Sequence, residues 1–156
     1  APTSGAMGYG VPAAVAAAQQ QPHRGAVNHA RDRPIQMTGQ ELATATGYRA
    51  GRGAGKLISV VVDNGSYGTI RMHQERRFPG RVSGSDLGNP DFAMLARAHG
   101  FDAVLIEHTA AFEPAFAAAL ERPNSTLLHL KLDVEVSTTR STLSAIRATA
   151  LRSRHG

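Results

Sequence analysis

The sequence SVVVDNGSYGTIRMHQE, residues 59–75, indicates the fold most clearly. A β-branched run, Val60 to Val62, stops at Asp63-Asn64-Gly65-Ser66, and a stretch with helical potential follows from Tyr67. This pattern predicts a buried strand, a tight turn and the start of a helix. The turn brings together an Asn side-chain oxygen, backbone carbonyls and free N–H groups. Oxygen ligands suit Mg²⁺, and N–H groups at a helix start suit phosphate.

A second acidic position lies upstream. The short run Ala26 to Ala30 is a strand candidate, and Asp32 follows it directly after Arg31. In an open parallel sheet, ligands bind outside the carboxyl ends of the strands. We therefore expect Asp32 and the Asn64 turn to converge at one edge of the sheet. There they would hold a metal ion and, through it, a diphosphate.

The rest of the chain alternates between predicted helices and strands. Thr38 with Glu41 three residues later reads as a capping box, and Gly100 reads as a helix stop. Strand–helix alternation predicts an α/β fold, a doubly wound and mainly parallel sheet with helices on both faces. The predicted helices are 10–21, 38–46, 91–99, 111–122 and 142–154, the strands are 26–30, 57–62, 103–107 and 126–133, and the irregular segments are 47–55 and 76–90.

Length and composition narrow the class of protein to which the chain can belong. The chain has 156 residues, enough for a single domain, 1–156, with one core. There is no cysteine, so disulfide and thiolate chemistry are excluded. The net charge of +5 comes from scattered arginines, which favours a solvated surface over a nucleic-acid partner. No apolar run has the length of a membrane span, and we expect a cytoplasmic protein. The start at Ala1, without a methionine, indicates a fragment of a longer protein.

A third block, Ser4 to Ala14, completes a pattern of three motifs. Together they resemble the C-terminal, diphosphate-binding domain of thiamine diphosphate-dependent enzymes of the acetolactate synthase and benzoylformate decarboxylase group. That family carries Gly-Asp-Gly, a spacer and then Asn-Asn. The resemblance implies that the Asp32 and Asn64 side chains and the Ser66 carbonyl hold Mg²⁺. It also implies that Gly5 offers its carbonyl to the aminopyrimidine and that Met7 supports the bent cofactor. The implied cofactor-binding residues are Gly5, Ala6, Met7, Asp32, Arg33, Asn64, Ser66, Tyr67, Gly68, Thr69 and Ile70.

The resemblance also implies a function. The cofactors would be thiamine diphosphate and Mg²⁺, and the reaction would be decarboxylation or carboligation of 2-keto acids by a lyase or transferase. In this family a glutamate on a separate pyrimidine-binding domain drives proton transfer. We therefore expect no catalytic residue in this chain, which alone would be inactive. The partner domain would come from the same polypeptide or another subunit, and the intact enzyme would be a homodimer or tetramer.

One segment departs from the family pattern at the cofactor motif. Arg31-Asp32-Arg33-Pro34 stands where the pattern has Gly-Asp-Gly. Glycine allows close backbone approach or positive φ, and an Arg forced into left-handed geometry costs about 1–2 kcal/mol. Pro34 also lacks an N–H donor. Two interpretations stay open: a working cofactor site, or a non-catalytic remnant that acts at most as an interaction module.

The remaining candidates are weaker. The run 51–56 imitates a P-loop, but it precedes a strand, and Leu57 lacks the metal-binding hydroxyl, so we interpret it as a surface loop. His73 could face substrate or solvent. The other histidines that we weighed have no metal-ligand spacing and are interpreted as structural: His29, His99, His108 and His129.

Overall fold

The computed structural model describes residues 5–52, 54–136, 138 and 140–155. The chain divides into two compact units. We call residues 1–63 with 90–131 the sheet unit, and residues 64–89 with 132–156 the helical unit. The single-domain organisation predicted from length stays a prediction.

The sheet unit is built on four parallel strands in the order β1-β2-β4-β3. The strands are β1 Ala26–Arg31, β2 Leu57–Asp63, β3 Asp102–Ile106 and β4 Thr126–Lys131. Seven α-helices are described, five in the sheet unit and two, α4 and α7, in the helical unit. They are α1 Gly10–Gln20, α2 Asp32–Thr38, α3 Glu41–Arg52, α4 Gly68–Arg77, α5 Phe92–Ala98, α6 Phe112–Glu121 and α7 Leu143–His155, with a short 3₁₀ turn at Thr109–Ala111.

The sheet has an apolar cluster on each face. Leu57 and Val61 of β2 belong to one cluster, and the alternating Ile58 and Val60 belong to the other. The first cluster also contains residues of α1, α2, α3 and α5, whereas the second contains Ala119 of α6. Side chains that alternate along a strand point to opposite faces, so β2 is mainly apolar because both of its faces are covered. The predicted α/β fold with helices on both faces is confirmed.

Helix α2 was not predicted. Thr38, expected as the N-cap of a helix, is the last residue of α2, and its hydroxyl donates to the carbonyls of Gly8 at 3.0 Å and Pro34 at 3.4 Å. The capping-box prediction was therefore wrong. Pro34 is compatible with a helix that starts at Asp32, because it lies in the first turn, where a helix does not use the N–H that proline lacks.

Helix α3 is longer than the sequence indicated. It runs from Glu41 to Arg52, so residues 47–52 of the expected loop are helical, and residue 53 lies outside the described part. The Gly47 that suggested a loop costs a helix interior only about 1 kcal/mol. In contrast, residues 78–90 contain no helix or strand, as predicted, apart from an isolated bridge between Ser66 and Asp86. In the part of the chain that the structure describes, no helix combines the length and apolarity that a membrane crossing requires.

Candidate functional site

The ends of β1 and β2 lie side by side. Arg31 pairs with Val62 in the parallel ladder, so Asp32, which follows β1, and Asp63, the last residue of β2, lie at the same carboxyl edge of the sheet. The expected convergence of Asp32 with the Asn64 turn stays a prediction. Asn64 follows Asp63 in the chain and belongs to the helical unit, and its distance from Asp32 stays a prediction.

Asp32 is a buried carboxylate at that edge. It is 1% exposed and is the first residue of α2. Its Oδ1 accepts a hydrogen bond from the Arg33 N–H at 2.9 Å. An acid in the first turn also compensates the positive end of the helix dipole. Asp32 therefore places carboxyl oxygens at the end of β1.

The two arginines that replace the family's glycines do not strain the backbone. Arg31 is extended, with φ −90° and ψ 170°, and Arg33 lies within α2. No described residue other than glycine has a positive φ. The cost that left-handed geometry would impose on an arginine does not arise at these two positions, because the chain turns directly from strand into helix at Asp32. The loss of the Pro34 donor has no cost there either, since the first turn of a helix leaves its N–H groups unpaired.

The N-terminal block forms a cavity with the end of β1. Thr38 holds the block through its bond to the Gly8 carbonyl. Gly8 has φ +82°, and a Cβ there would lie 3.3 Å from Thr38 Cγ2, so the position requires glycine. The cavity has a volume of about 450 Å³, and none of the described residues that line it is acidic. The lining residues are Gly5, Ala6, Met7, Gly8, Tyr9, Gly10, Val11, His29, Ala30, Arg31 and Pro34. Three predicted cofactor residues, Gly5, Ala6 and Met7, thus share one cavity.

The turn after β2 presents oxygen atoms in a compact arrangement in the helical unit. The buried Asn64 accepts the Ser66 N–H on its Oδ1 at 3.3 Å, which is an Asx turn. The Ser66 hydroxyl donates to the Ser85 carbonyl at 2.9 Å, and the Ser66 carbonyl accepts the Gly68 N–H at 2.9 Å. A carbonyl or amide oxygen has two lone pairs, so Asn64 Oδ1 and the Ser66 carbonyl can each accept another partner.

The predicted residues Tyr67 to Ile70 lead from this turn into α4. The Tyr67 N–H donates to the Ser85 carbonyl at 2.9 Å, while Gly68, Thr69 and Ile70 form the first turn of the helix. Ile70 is half exposed. Their predicted contact with the cofactor remains a prediction.

The chemistry of these donors fits Mg²⁺. Asp32 offers a carboxylate, Asn64 an amide oxygen and Ser66 a carbonyl. Among the described residues, no group of three His, Cys, Asp or Glu side chains is placed to hold a metal ion. Mg²⁺ is commonly bound by one or two carboxylates with substrate phosphates and water rather than by an all-protein cage. Carboxylate, amide and carbonyl oxygens are each ligands that Mg²⁺ accepts, and a diphosphate can complete its coordination.

A buried charged network at the ends of β2 and β4 was not predicted from the sequence. Asp63, 2% exposed, accepts a hydrogen bond from Lys131 Nζ on Oδ2 at 2.6 Å, and the same oxygen lies 2.8 Å from His129 Nε2. The His129 ring packs edge-on against Phe92, and its Nδ1 lies 3.9 Å from Asp91 Oδ1. His129 is buried within the sheet unit, as expected for a structural histidine. Its contact with Asp63 depends on the register in which β2 and β4 pair. The network fixes the last residue of β2, immediately before Asn64.

A second buried carboxylate joins the elements of the helical unit. Glu75 of α4 is fully buried and accepts two hydrogen bonds from Arg147 of α7, at 2.9 and 2.6 Å, and one from the Gly80 N–H at 2.9 Å. Arg71 approaches it at 3.5 Å. The Arg147 hydrogen bonds are the main reason that the Glu75 pKa falls to about 2, while burial opposes that shift. The bidentate pair therefore fixes α7 against α4.

Lys56 has a structural role. Its Nζ donates to the carbonyls of Ala119 at 3.2 Å, of Arg122 at 3.1 Å and of Leu120. A lysine that satisfies the last carbonyls of a helix is a C-terminal cap, here of α6. The apparent P-loop lysine is thus engaged by the carbonyls at the end of α6.

Comparison with known proteins agrees with this arrangement. The model of the family described as "Thiamine pyrophosphate enzyme, C-terminal TPP binding domain" matches residues 1–130. The chain belongs to this family of thiamine diphosphate-binding domains.

The relatives include large subunits of acetolactate synthase. That of Parasynechococcus marenigrum is 39% identical over 127 residues, which are 80% of this chain and 20% of the relative. The isozyme 2 large subunit of Escherichia coli is 35% identical over 130 residues, 83% of this chain and 23% of the relative. The chain therefore spans about a fifth of the length of these relatives.

A solved structure shares the fold. The thiamine diphosphate-dependent 4-hydroxybenzoylformate decarboxylase of Rhodococcus jostii RHA1 aligns with a TM-score of 0.73 and 27% identity, over 85% of this chain and 24% of that chain. The resemblance to the acetolactate synthase and benzoylformate decarboxylase group is confirmed.

Proposed function

We propose that this chain binds thiamine diphosphate together with Mg²⁺ and is the C-terminal domain of an acetolactate synthase-like enzyme acting on 2-keto acids. The observation that carries the proposal is the cavity that joins Gly5, Ala6 and Met7 to the end of β1, where the buried carboxylate of Asp32 begins α2. Membership of the family supports the cofactor. The names of the relatives support the reaction class, decarboxylation or carboligation.

The roles of the residues follow the family's motif positions. Asp32 and Asn64 would hold Mg²⁺ through their side chains, and Ser66 through its carbonyl. Gly5, Ala6 and Met7 would bind the aminopyrimidine side of the cofactor. Arg33 would also contact the cofactor, and the start of α4 would face the diphosphate through backbone N–H groups, which suit phosphate at a helix start. When bound, thiamine diphosphate supplies the carbon nucleophile for 2-keto acid chemistry, and the chain supplies placement and electrostatics.

The proposal requires a partner domain. The catalytic glutamate would lie on a pyrimidine-binding domain of the same enzyme, in cis or from another subunit, in a homodimer or tetramer. We propose a cytoplasmic location for that enzyme. The chain by itself would bind the cofactor without turning over substrate.

The experiment compares two isosteric variants. Asp32→Asn keeps the shape of the side chain and removes its charge. Asp102→Asn is the matched control, since Asp102 is the first residue of β3, at the amino end of its strand. Thiamine diphosphate is titrated calorimetrically into each folded protein with Mg²⁺ present. We expect Asp32→Asn to weaken binding at least tenfold and Asp102→Asn to leave it within twofold. Equal affinities for wild type and Asp32→Asn would contradict the metal assignment.

A result with no binding in the wild type supports the other interpretation. A folded wild-type chain that takes up no thiamine diphosphate at millimolar concentration would be a non-catalytic remnant of the fold. Circular dichroism on the same samples separates that outcome from misfolding.

A further inference from the structure

The cavity at the end of β1 has the charge of an anion-binding site. Among its lining residues, His29 and Arg31 carry basic side chains and no residue is acidic. Met7, Val11 and Pro34 add apolar surface. A volume of about 450 Å³ lies within the range of small-molecule sites. The lining therefore suits a ligand that combines an anionic group with an apolar or aromatic one.

Arg31 is placed to make the anionic contact. Its backbone is extended, and its side chain is partly buried. Within the described ranges, no acidic side chain forms an ion pair with Arg31 and no hydrogen bond from its guanidinium is found. A partly desolvated cation gains most from a ligand that restores its hydrogen bonds and balances its charge. The planar guanidinium matches two phosphate oxygens at once.

We propose that Arg31 binds the diphosphate of the cofactor. In this chain the Arg31 side chain then provides the diphosphate contact that close backbone approach provides where the family has glycine. The inference rests on the proposed function, because it names the group of thiamine diphosphate that this residue contacts. It favours a working cofactor site over a remnant, the two interpretations that the sequence leaves open for this segment. The extended backbone of Arg31 removes the steric argument against a working site.

The test uses a charge-neutral variant and a matched control. Arg31→Gln removes the cation, and Arg31→Lys keeps the charge but not the planar fork. Arg24→Gln is the control, since Arg24 is exposed and precedes the opposite, amino end of β1. Each protein is titrated with three probes: thiamine diphosphate with Mg²⁺, inorganic pyrophosphate with EDTA, and thiamine, which has no phosphate.

Arg31→Gln should weaken thiamine diphosphate and pyrophosphate about tenfold, the effect of one lost charge-assisted contact, and should leave thiamine unchanged. Arg31→Lys should fall between wild type and Arg31→Gln, and Arg24→Gln should match the wild type. Added salt should weaken pyrophosphate binding more in the wild type than in Arg31→Gln, because the exposed side of the site is screened. A purely structural role would not produce this difference in salt dependence.

The outcomes separate the two proposals. If the wild type binds thiamine diphosphate and Arg31→Gln binds it equally well, the Arg31 inference is overturned and the proposed function stands. If pyrophosphate binds in an Arg31-dependent way but thiamine diphosphate with Mg²⁺ does not bind, the proposed function fails and the cavity is a simpler anion site. If the folded wild type binds neither probe, both fail. Should Arg31→Gln misfold, the Arg31→Lys titration decides.

Discussion

The bond between Glu75 and Arg147 should be a main support of the helical unit. Arg147→Met removes the charge and the two hydrogen bonds but keeps most of the apolar stem. Removing one partner of a buried pair costs about 3–5 kcal/mol. Arg147 is 36% exposed, and Glu75 keeps the Gly80 N–H and Arg71, so screening and the remaining partners reduce the loss to about 2–3 kcal/mol.

The assay is thermal and urea unfolding of the full chain at pH 7, followed by circular dichroism. For a chain of this size, a loss of about 2–3 kcal/mol lowers Tm by about 4–12 °C. Arg140→Met is the matched control, because Arg140 is exposed and precedes α7, and it should stay within about 0.5 kcal/mol of wild type. If Arg147→Met also unfolds within 0.5 kcal/mol of wild type, the pair is not a support of the fold.

The same pair predicts a pH dependence. The Glu75 pKa is lowered from 4.5 to about 2, so the folded state favours the charged carboxylate. Its contribution to stability is complete above pH 4.5 and is lost as the pH falls toward 2. In Arg147→Met the main cause of the shift is gone. The variant should therefore lose less stability than wild type between pH 4.5 and 2, and parallel pH profiles would contradict this reasoning.

Two further predictions concern the sheet unit, and a third concerns the activity of the purified chain. Gly8→Ala should destabilise the chain by about 1–2 kcal/mol in urea unfolding, since Gly8 has φ +82° and little room for a Cβ. The control Gly88→Ala, at a position with open space and no positive φ, should change stability by less than about 0.5 kcal/mol. Equal losses in the two variants would argue against strain at Gly8. Lys131→Met should lower the free energy of unfolding by about 1 kcal/mol, because Asp63 loses a cation that is itself 47% exposed. Lys131→Arg should keep most of that stability, and no change in urea unfolding for Lys131→Met would contradict this role. The purified chain with thiamine diphosphate and Mg²⁺ should not turn over pyruvate or benzoylformate, and steady-state product formation would refute the need for a partner domain.

The sequence was sufficient for features that depend on local pattern. Hydrophobic periodicity indicates the buried run of β2 and the amphipathic and alanine-rich helices. The alternation of strands with helices then predicts four strands in a parallel sheet. The position of Asp32 at a strand end could be predicted for the same reason. Helix α2 could not, because Pro34 and the flanking arginines are equally compatible with a loop, and packing of the buried Ile35 against the core selects the helix.

The rest of the site depends on contacts between distant parts of the chain. His129 meets Asp63 only because β2 and β4 pair in a register that the sequence does not specify. Glu75 and Arg147 are 72 residues apart, and neither position has a local signal for the pair. The backbone conformation of Arg31 is likewise decided by the start of α2. Each of these features needed the three-dimensional arrangement.

Direct calorimetric titration of the wild-type chain with thiamine diphosphate, in parallel with Mg²⁺ and with EDTA, tests the proposed function most directly. We expect saturable binding close to one cofactor per chain when Mg²⁺ is present, and a large loss of affinity in EDTA. Under the proposed function, Mg²⁺ would link the protein's oxygen ligands to the diphosphate. A folded chain that shows no saturable heat with Mg²⁺, or the same affinity with EDTA, would contradict a metal-dependent cofactor site.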